Sequence, residues 1–226
     1  MNHIAENITK IKQEIKATAS PGASLIAVSK FFSVSDISTA YKSGIINFAE
    51  NFPQEFEAKA IELQNQQDII WHFIGNIQSS KTKIIAQHAS FVHSLTKQQH
   101  AKRLNDQRPV DKPNLKVLIE VNISFEESKH GLTNFDEIFS LAKFIKQLPR
   151  LELVGLMGMA SNTADVNKLT QEFQLLNQIK DKLNNNGFNL TELSIGTSND
   201  YLIALNNNST MIRIGSKIFG ERKYDN

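Results

Sequence analysis

Cysteine is absent from the 226 residues, which excludes disulfides, thiolate nucleophiles and cysteine-ligated zinc together and makes a reducing cytoplasm the natural setting. No apolar run is long enough to span a bilayer. Met1 to Ser20 places Ile4, Ile8, Ile11 and Ile15 among polar residues, a helical face in place of the unbroken apolar core of a signal peptide. An excess of one charge is also lacking. The formal net charge is +2, and the basic residues are scattered through acidic and amide-rich segments, whereas a nucleic-acid-binding chain concentrates them on one face. The densest groupings, Lys81 with Lys83 and Lys97 with Lys102, Arg103 and Arg108, read as surface helices carrying solvated charge. Composition therefore points to neither a nucleic-acid nor a membrane partner. Repeats, low-complexity linkers and composition breaks are missing as well, so residues 1–226 are expected to form one domain, with an N-terminal helix over 1–20 packed on it.

What is present is alternation. Short apolar strands are expected at Ser24–Val28, Ile45–Phe48, Ile69–Phe73, Phe91–His93, Leu115–Val121, Leu151–Leu156, Leu190–Ile195 and Met211–Ile214. Helix-period segments separate them. Gly44 suits the left-handed position after one helix, and Pro53 the first turn of the next, whose stripe is Phe56, Ala60 and Leu63. Thr96 with Gln99, and Asn134 with Glu137, have capping-box spacing. Val166, Leu169, Phe173, Leu176, Ile179 and Leu183 mark a long amphipathic helix ending near Gly187, and the Asn184–Asn186 and Asn206–Asn208 runs read as turns. Eight strands alternating with helices predict a parallel sheet, and eight is the number that closes a (β/α)8 barrel. An open doubly wound sheet would place a glycine-rich phosphate turn after its first strand, where this chain has Ser-Lys-Phe-Phe.

In a barrel, functional groups belong at the C-terminal strand ends. The first strand ends at Lys30. An amine beside apolar surface loses hydration, which favours the neutral form that attacks a carbonyl; the same segment also reads as an ordinary solvated lysine past a strand end. After the seventh strand comes Ser194-Ile195-Gly196-Thr197-Ser198-Asn199-Asp200, and after the eighth Arg213-Ile214-Gly215-Ser216. Such small, hydroxyl-bearing turns let backbone N–H groups approach an anion, though each alone reads equally as a capping turn. Glu50, Asn51, Asn122 and Met157 follow other strands, and His72 lies within the third as a packed or orienting group. His88, His93 and His100 lack metal-ligand spacing. Asp106, Asp111 and the pair Glu126 and Glu127 read as solvated loops, with no two carboxylates across a cleft.

These motifs together resemble the pyridoxal phosphate homeostasis proteins. Leu25 to Lys30 resembles the family's lysine motif, Phe48 to Glu55 its F-G-E-N-x-x-Q-E, and Trp71 to Lys81 its W-H-F-I-G-x-L-Q-x-N-K. Ser128 to Gly131 resembles its K-x-G loop, and Ser209 to Gly220 its G-S-T-x-V-R-I-G-x-x-I-F-G. The likeness runs from Leu25 to Arg222. Ala49 stands where the family has glycine, Ser80 where it has asparagine, Thr197 where it has methionine and Asn208 where it has glycine. These departures leave the lysine, the arginine and the phosphate-turn hydroxyls in place and fall on the local geometry near Ala49 and Thr197.

The resemblance implies a (β/α)8 barrel like the alanine racemase N-terminal domain, with pyridoxal 5′-phosphate held as a Schiff base on Lys30. It implies phosphate contacts from Ser198, Gly215 and Ser216, Arg213 facing the pyridine nitrogen, and Asn51 and Met157 among the cofactor-contacting residues. A cytoplasmic monomer serving vitamin B6 homeostasis, with pyridoxal phosphate-dependent apoenzymes as partners, is the function it implies. The alternatives are a racemase-like enzyme on the same barrel and a Schiff-base aldolase acting on sugar phosphates. Against the racemase, the chain ends soon after its eighth strand, and its late tyrosines are Tyr201 and Tyr224, so no second acid/base group stands out.

Overall fold

All eight apolar segments form strands in the computed structural model, which describes residues 3–221. The order is α1 (His3–Lys16), β1 (Ser24–Val28), α2 (Val34–Lys42), β2 (Asn47–Glu50), α3 (Pro53–Glu62) and β3 (Ile70–Phe73). A 3-10 turn (Ser79–Lys81) leads into α4 (Thr82–His88), then β4 (Phe91–Leu95), α5 (Gln98–Gln107), β5 (Leu115–Val121) and α6 (Phe135–Ile145). The chain continues through β6 (Leu151–Gly158), α7 (Val166–Asn185), β7 (Glu192–Ser194), α8 (Tyr201–Leu205), β8 (Met211–Ile214) and α9 (Ser216–Phe219). Each strand pairs in parallel with the next, and β8 pairs with β1, so the sheet closes into the expected (β/α)8 barrel.

Strand alternation divides the apolar residues between one large cluster and two small ones. Leu25, Ala27, Phe48 and Phe73 belong to the large core that also holds the buried faces of the helices. Ile26, Val28, Ala49 and Met211 form a small second cluster, and Leu118, Val154 and Met157 a third, both packed against Phe91. The N-terminal helix contributes Ile4, Ile8, Ile11 and Ile15 to the large core. Asn7 donates to the Ile218 carbonyl and Lys12 to the carbonyls of Ser43 and Gly44, so α1 straddles the seam where the barrel closes.

Several boundaries move for identifiable reasons. β2 begins two residues after Ile45, because the Ile45 N–H is already bonded to the Ala40 carbonyl at the end of α2. β6 runs on to Gly158, where Val121 of β5 still pairs with it, so Met157 lies inside the strand. β7 is shorter than expected: the Asn184 side chain takes both the N–H and the carbonyl of Leu190 out of the ladder. Asn184 and Asn185 are accordingly helical, not part of a turn. The expected box at Thr96 and Gln99 does not form; α5 starts at Gln98 with Lys97 as its cap residue, one position too late for the Thr96 hydroxyl. Asn134 does cap α6, accepting from the Asp136 N–H. Glu137 does not complete a box with it; among the described residues the reciprocal capping box is Ser33 with Asp36, which opens α2.

The reading of Arg108 as solvated charge is also corrected. Its guanidinium is buried and donates to the carbonyls of Ala86 and Ala89 at 2.8 and 2.7 Å and of Pro113 at 2.9 Å, satisfying acceptors left open where α4 ends. Asp106 lies in α5, paired with Lys102, and Glu126 pairs with Lys129. Neither is a free loop carboxylate.

Candidate functional site

Lys30 sits at the second position of a tight turn that follows β1. The Phe32 N–H returns to the Ser29 carbonyl at 3.0 Å, and Phe31, third in the turn, has φ 68°. A left-handed phenylalanine costs on the order of 1–3 kcal/mol unless its surroundings hold it. Here the Phe31 N–H donates to Glu55 Oε1 at 2.6 Å, and Phe32 stacks on Phe219 with centroids 4.7 Å apart. Lys59, buried on α3, donates to the Ser29 carbonyl, Glu50 Oε1 and Glu55 Oε1, each at 2.7 Å. The Ser29 hydroxyl donates to the same Glu50 oxygen at 2.6 Å. Burial pushes the Glu50 carboxyl up while Lys59 draws it down. Ser29, Glu50, Glu55 and Lys59 thus form a clamp that fixes the turn presenting Lys30.

A cavity of about 300 Å³ opens at the C-terminal rim of the barrel, within the size range of small-ligand sites. Its wall brings together all seven residues expected at the cofactor: Lys30, Asn51, Met157, Ser198, Arg213, Gly215 and Ser216. Val28, Ile74, Met159 and Thr197 complete the lining. Glu50 turns instead toward Lys59, and Asn122 binds the carbonyls of Glu126 and Lys129 in the loop after β5.

The two hydroxyl-bearing turns meet at the cavity. Ser216 Oγ donates to Ser198 Oγ at 3.1 Å, and the Arg213 N–H joins the turns through the Gly196 carbonyl. Gly196 has φ 96°, and a Cβ there would come within 2.7 Å of the Ala204 methyl, so this turn needs glycine. Thr197 donates to Asp200 Oδ1 through both N–H and hydroxyl, which preserves the turn with threonine in place. Asn208, another departure from the family pattern, has φ 64°, a conformation asparagine tolerates better than most non-glycine residues.

The donor set can be tested against a phosphorylated pyridine aldehyde. Among the described residues the lining offers one amine, one guanidinium and three hydroxyls, those of Thr197, Ser198 and Ser216, with no carboxylate, which suits an anion. Asn51 Oδ1 is buried without a protein hydrogen-bond partner, as a group awaiting a ligand donor would be. These residues fit pyridoxal phosphate.

Beneath the cavity the barrel interior holds a polar string that the sequence did not disclose as a unit. Asn47 Oδ1 lies 3.0 Å from His72 Nε2, His72 Nδ1 2.9 Å from His93 Nε2, and His93 Nδ1 2.8 Å from Ser194 Oγ. Arg213 Nη1 donates to both the hydroxyl and the carbonyl of Ser194 at 2.6 Å, and Nη2 to the Gly158 carbonyl at 3.0 Å. Burial lowers His72 to about 3 and His93 well below its ordinary value, with His72 and Arg213 adding to the second shift. Burial also brings Arg213 down to about 10, opposed by Asp200 and Glu120, so it stays charged at neutral pH. Among the described residues no three His, Asp or Glu side chains gather to hold a metal.

Of the two late tyrosines, Tyr201 donates to Glu14 of α1, away from the cavity, and Tyr224 lies outside the described residues. Lys59, Arg108 and the string are the elements that sequence reasoning missed. The Glu55–Lys59 spacing of four was the only local signal for the first.

The family profile described as "Alanine racemase, N-terminal domain" covers residues 1–223. The chain is 41% identical to the pyridoxal phosphate homeostasis protein of Vibrio alginolyticus, over 99% of this chain and all of that one. It is 38% identical to the protein of the same name from Escherichia coli K12, over 99% of each. The structure of PipY from Synechococcus elongatus solved with PLP bound superposes with a TM-score of 0.85 at 27% identity, covering 96% of this chain and 100% of that one. The alanine racemase of Bacillus anthracis shares the fold at a TM-score of 0.74 and 15% identity, with 99% of this chain matching 57% of that one.

The buried histidines give stability a pH dependence of definite sign. His72 is about 3 in the folded state and about 6.5 when unfolded, so its neutral burial stabilises fully above pH 6.5, and that stability is lost as pH falls toward 3. Urea unfolding at pH 7.5 and pH 5 is expected to differ by about 2 kcal/mol from His72 alone, with His93 adding in the same direction. His72→Gln should flatten the dependence; an unchanged slope in that variant would contradict the assignment.

Proposed function

Because the chain belongs to the alanine racemase N-terminal domain family, in company with the pyridoxal phosphate homeostasis proteins, we propose that it holds pyridoxal 5′-phosphate reversibly as a Schiff base on Lys30. In this reading the protein serves cellular vitamin B6 balance as a carrier, acting as a cytoplasmic monomer and one domain, with pyridoxal phosphate-dependent apoenzymes receiving the cofactor. The observation that carries the reading is the cavity wall, where a clamped lysine, an anion-ready pair of turns and a donor-only arginine converge.

Bound pyridoxal phosphate supplies an aldehyde that condenses with amines and a ring that withdraws electrons. The residues divide the work of holding it. Lys30 presents its amine from the turn that Lys59 and Glu55 fix. Ser198 and Ser216 offer hydroxyls to a phosphate, and Gly215 lets the backbone approach it; Val28 would lie at ordinary contact distance from any added Cβ. Asn51 offers the buried carbonyl oxygen that has no protein partner. Arg213 has no basic lone pair, so toward a ring nitrogen it is only a donor, and a ring left unprotonated withdraws electrons weakly. Besides Lys30, the described residues of the lining include no carboxylate, imidazole or phenol that could act as a second acid or base. Both features support a carrier over a racemase.

Borohydride reduction of the cofactor-loaded protein followed by peptide mapping is expected to place the pyridoxyl group on Lys30. An adduct chiefly on Lys81 or Lys129 would overturn the assignment. If the two turns bind phosphate, pyridoxal phosphate should bind far better than pyridoxal, and Ser198→Ala should weaken it by about 1–3 kcal/mol in equilibrium titration; equal affinity for the two vitamers would refute the contact. The carrier reading itself predicts negligible deuterium exchange at Cα across a panel of L- and D-amino acids. Rapid exchange that disappears in Lys30→Ala would make this protein an enzyme.

A further inference from the structure

The interior string has a direction, and it follows from which atoms can only accept or only donate. Asn47 Oδ1 is an acceptor, so the His72 nitrogen facing it, Nε2, carries a proton. A neutral His72 then has a bare Nδ1, which must receive the Nε2 proton of His93. A neutral His93 in turn has a bare Nδ1, which must receive the Ser194 hydroxyl proton. The Ser194 oxygen is left with lone pairs, and Arg213 Nη1 donates to it. Every donor from Arg213 to Asn47 therefore points the same way.

We infer that His93 and His72 are positioning residues for Arg213, two neutral Nε2–H imidazoles that turn the Ser194 hydroxyl away from the guanidinium and so fix the edge that Arg213 presents to the cavity. Reversing the string would aim the Ser194 proton at Nη1, which cannot accept it. Protonating His93 has the same effect, since Nδ1–H would then donate to the serine. The surroundings oppose that protonation. His93 is fully buried away from water, and His72 and Arg213 repel a charge on it. Asp200 and Glu120 meanwhile favour the charge on Arg213 itself.

In its relevance to the cofactor, the inference rests on the reading that pyridoxal phosphate fills the cavity, so its test has one arm that needs no cofactor. Nitrogen-15 NMR of the unloaded protein should show both His72 and His93 as Nε2–H tautomers that do not titrate between pH 5 and 9. Either residue in the Nδ1–H form would overturn the string. In the second arm, His93→Leu and Ser194→Ala should weaken pyridoxal phosphate binding about ten- to hundredfold, the range for a lost hydrogen bond to a charged group, and shift the absorption band of the bound cofactor. His93→Gln, which keeps one acceptor and one donor, should restore both. A folded Ser194→Ala protein with unchanged affinity and band would refute the positioning role. If wild type develops no cofactor band, the proposed function fails, while the tautomer measurement still decides the string.

Discussion

The pairing of β8 with β1 is the constraint on which the rest depends. Four residues of each strand are in register, Ser24 to Ala27 against Met211 to Ile214, whereas β7 and β8 share only the Ser194–Met211 pair. Parallel strands all end at one rim, so this closure makes neighbours of the first strand end and the last, and sets the Lys30 turn beside Gly215 and Ser216. The weak β7–β8 junction is reinforced by side chains. Ser209 Oγ donates to the Ile195 carbonyl at 2.7 Å, Thr210 Oγ1 accepts from the Leu193 N–H at 2.8 Å, and Arg213 ties β8 to the carbonyls of Ser194 and Gly158. Arg213 thus holds the barrel shut with the same guanidinium that borders the cavity.

The lysine turn is held from the other side of the sheet. Glu50 faces the helices while its neighbour Asn51 faces the cavity, as alternation along an extended strand requires. The ionic cluster of Lys59, Glu50 and Glu55 therefore stiffens the site without occupying it. Its cohesion is conditional. A buried pair contributes little net stability while intact, yet loss of one partner strands the other charge at a cost of about 3–5 kcal/mol. Lys59 binds both carboxylates and the Ser29 carbonyl, so one ammonium group joins these three acceptors in a single cluster.

The elements that could be read in the sequence were those encoded by neighbours in the chain. Apolar alternation located all eight strands, the isoleucine period located α1, and the strand-end positions of Lys30, Ser198 and Ser216 pointed to one rim. What escaped was set by partners distant in sequence. Arg108 looks solvated until the carbonyls of Ala86 and Ala89 arrive around it, and Lys59 looks like a helix-surface residue until Ser29 does. His72 read as a packed or orienting group, and it is buried against Phe91, but nothing local indicated that it would meet His93 and, through it, Ser194, 101 residues beyond His93. Strand ends failed where a side chain competed for the backbone, as Asn184 does for Leu190.

The directional string also limits how this barrel can vary. An apolar replacement at any one of Asn47, His72, His93 or Ser194 leaves a neighbouring donor or acceptor buried and unmatched, while the same replacement made at all four would leave Arg213 without its hydroxyl partner. Each apolar step away from the present set is therefore worse than the start, and these four positions on four different strands admit only replacements that keep both the donor and the acceptor, as glutamine does for histidine.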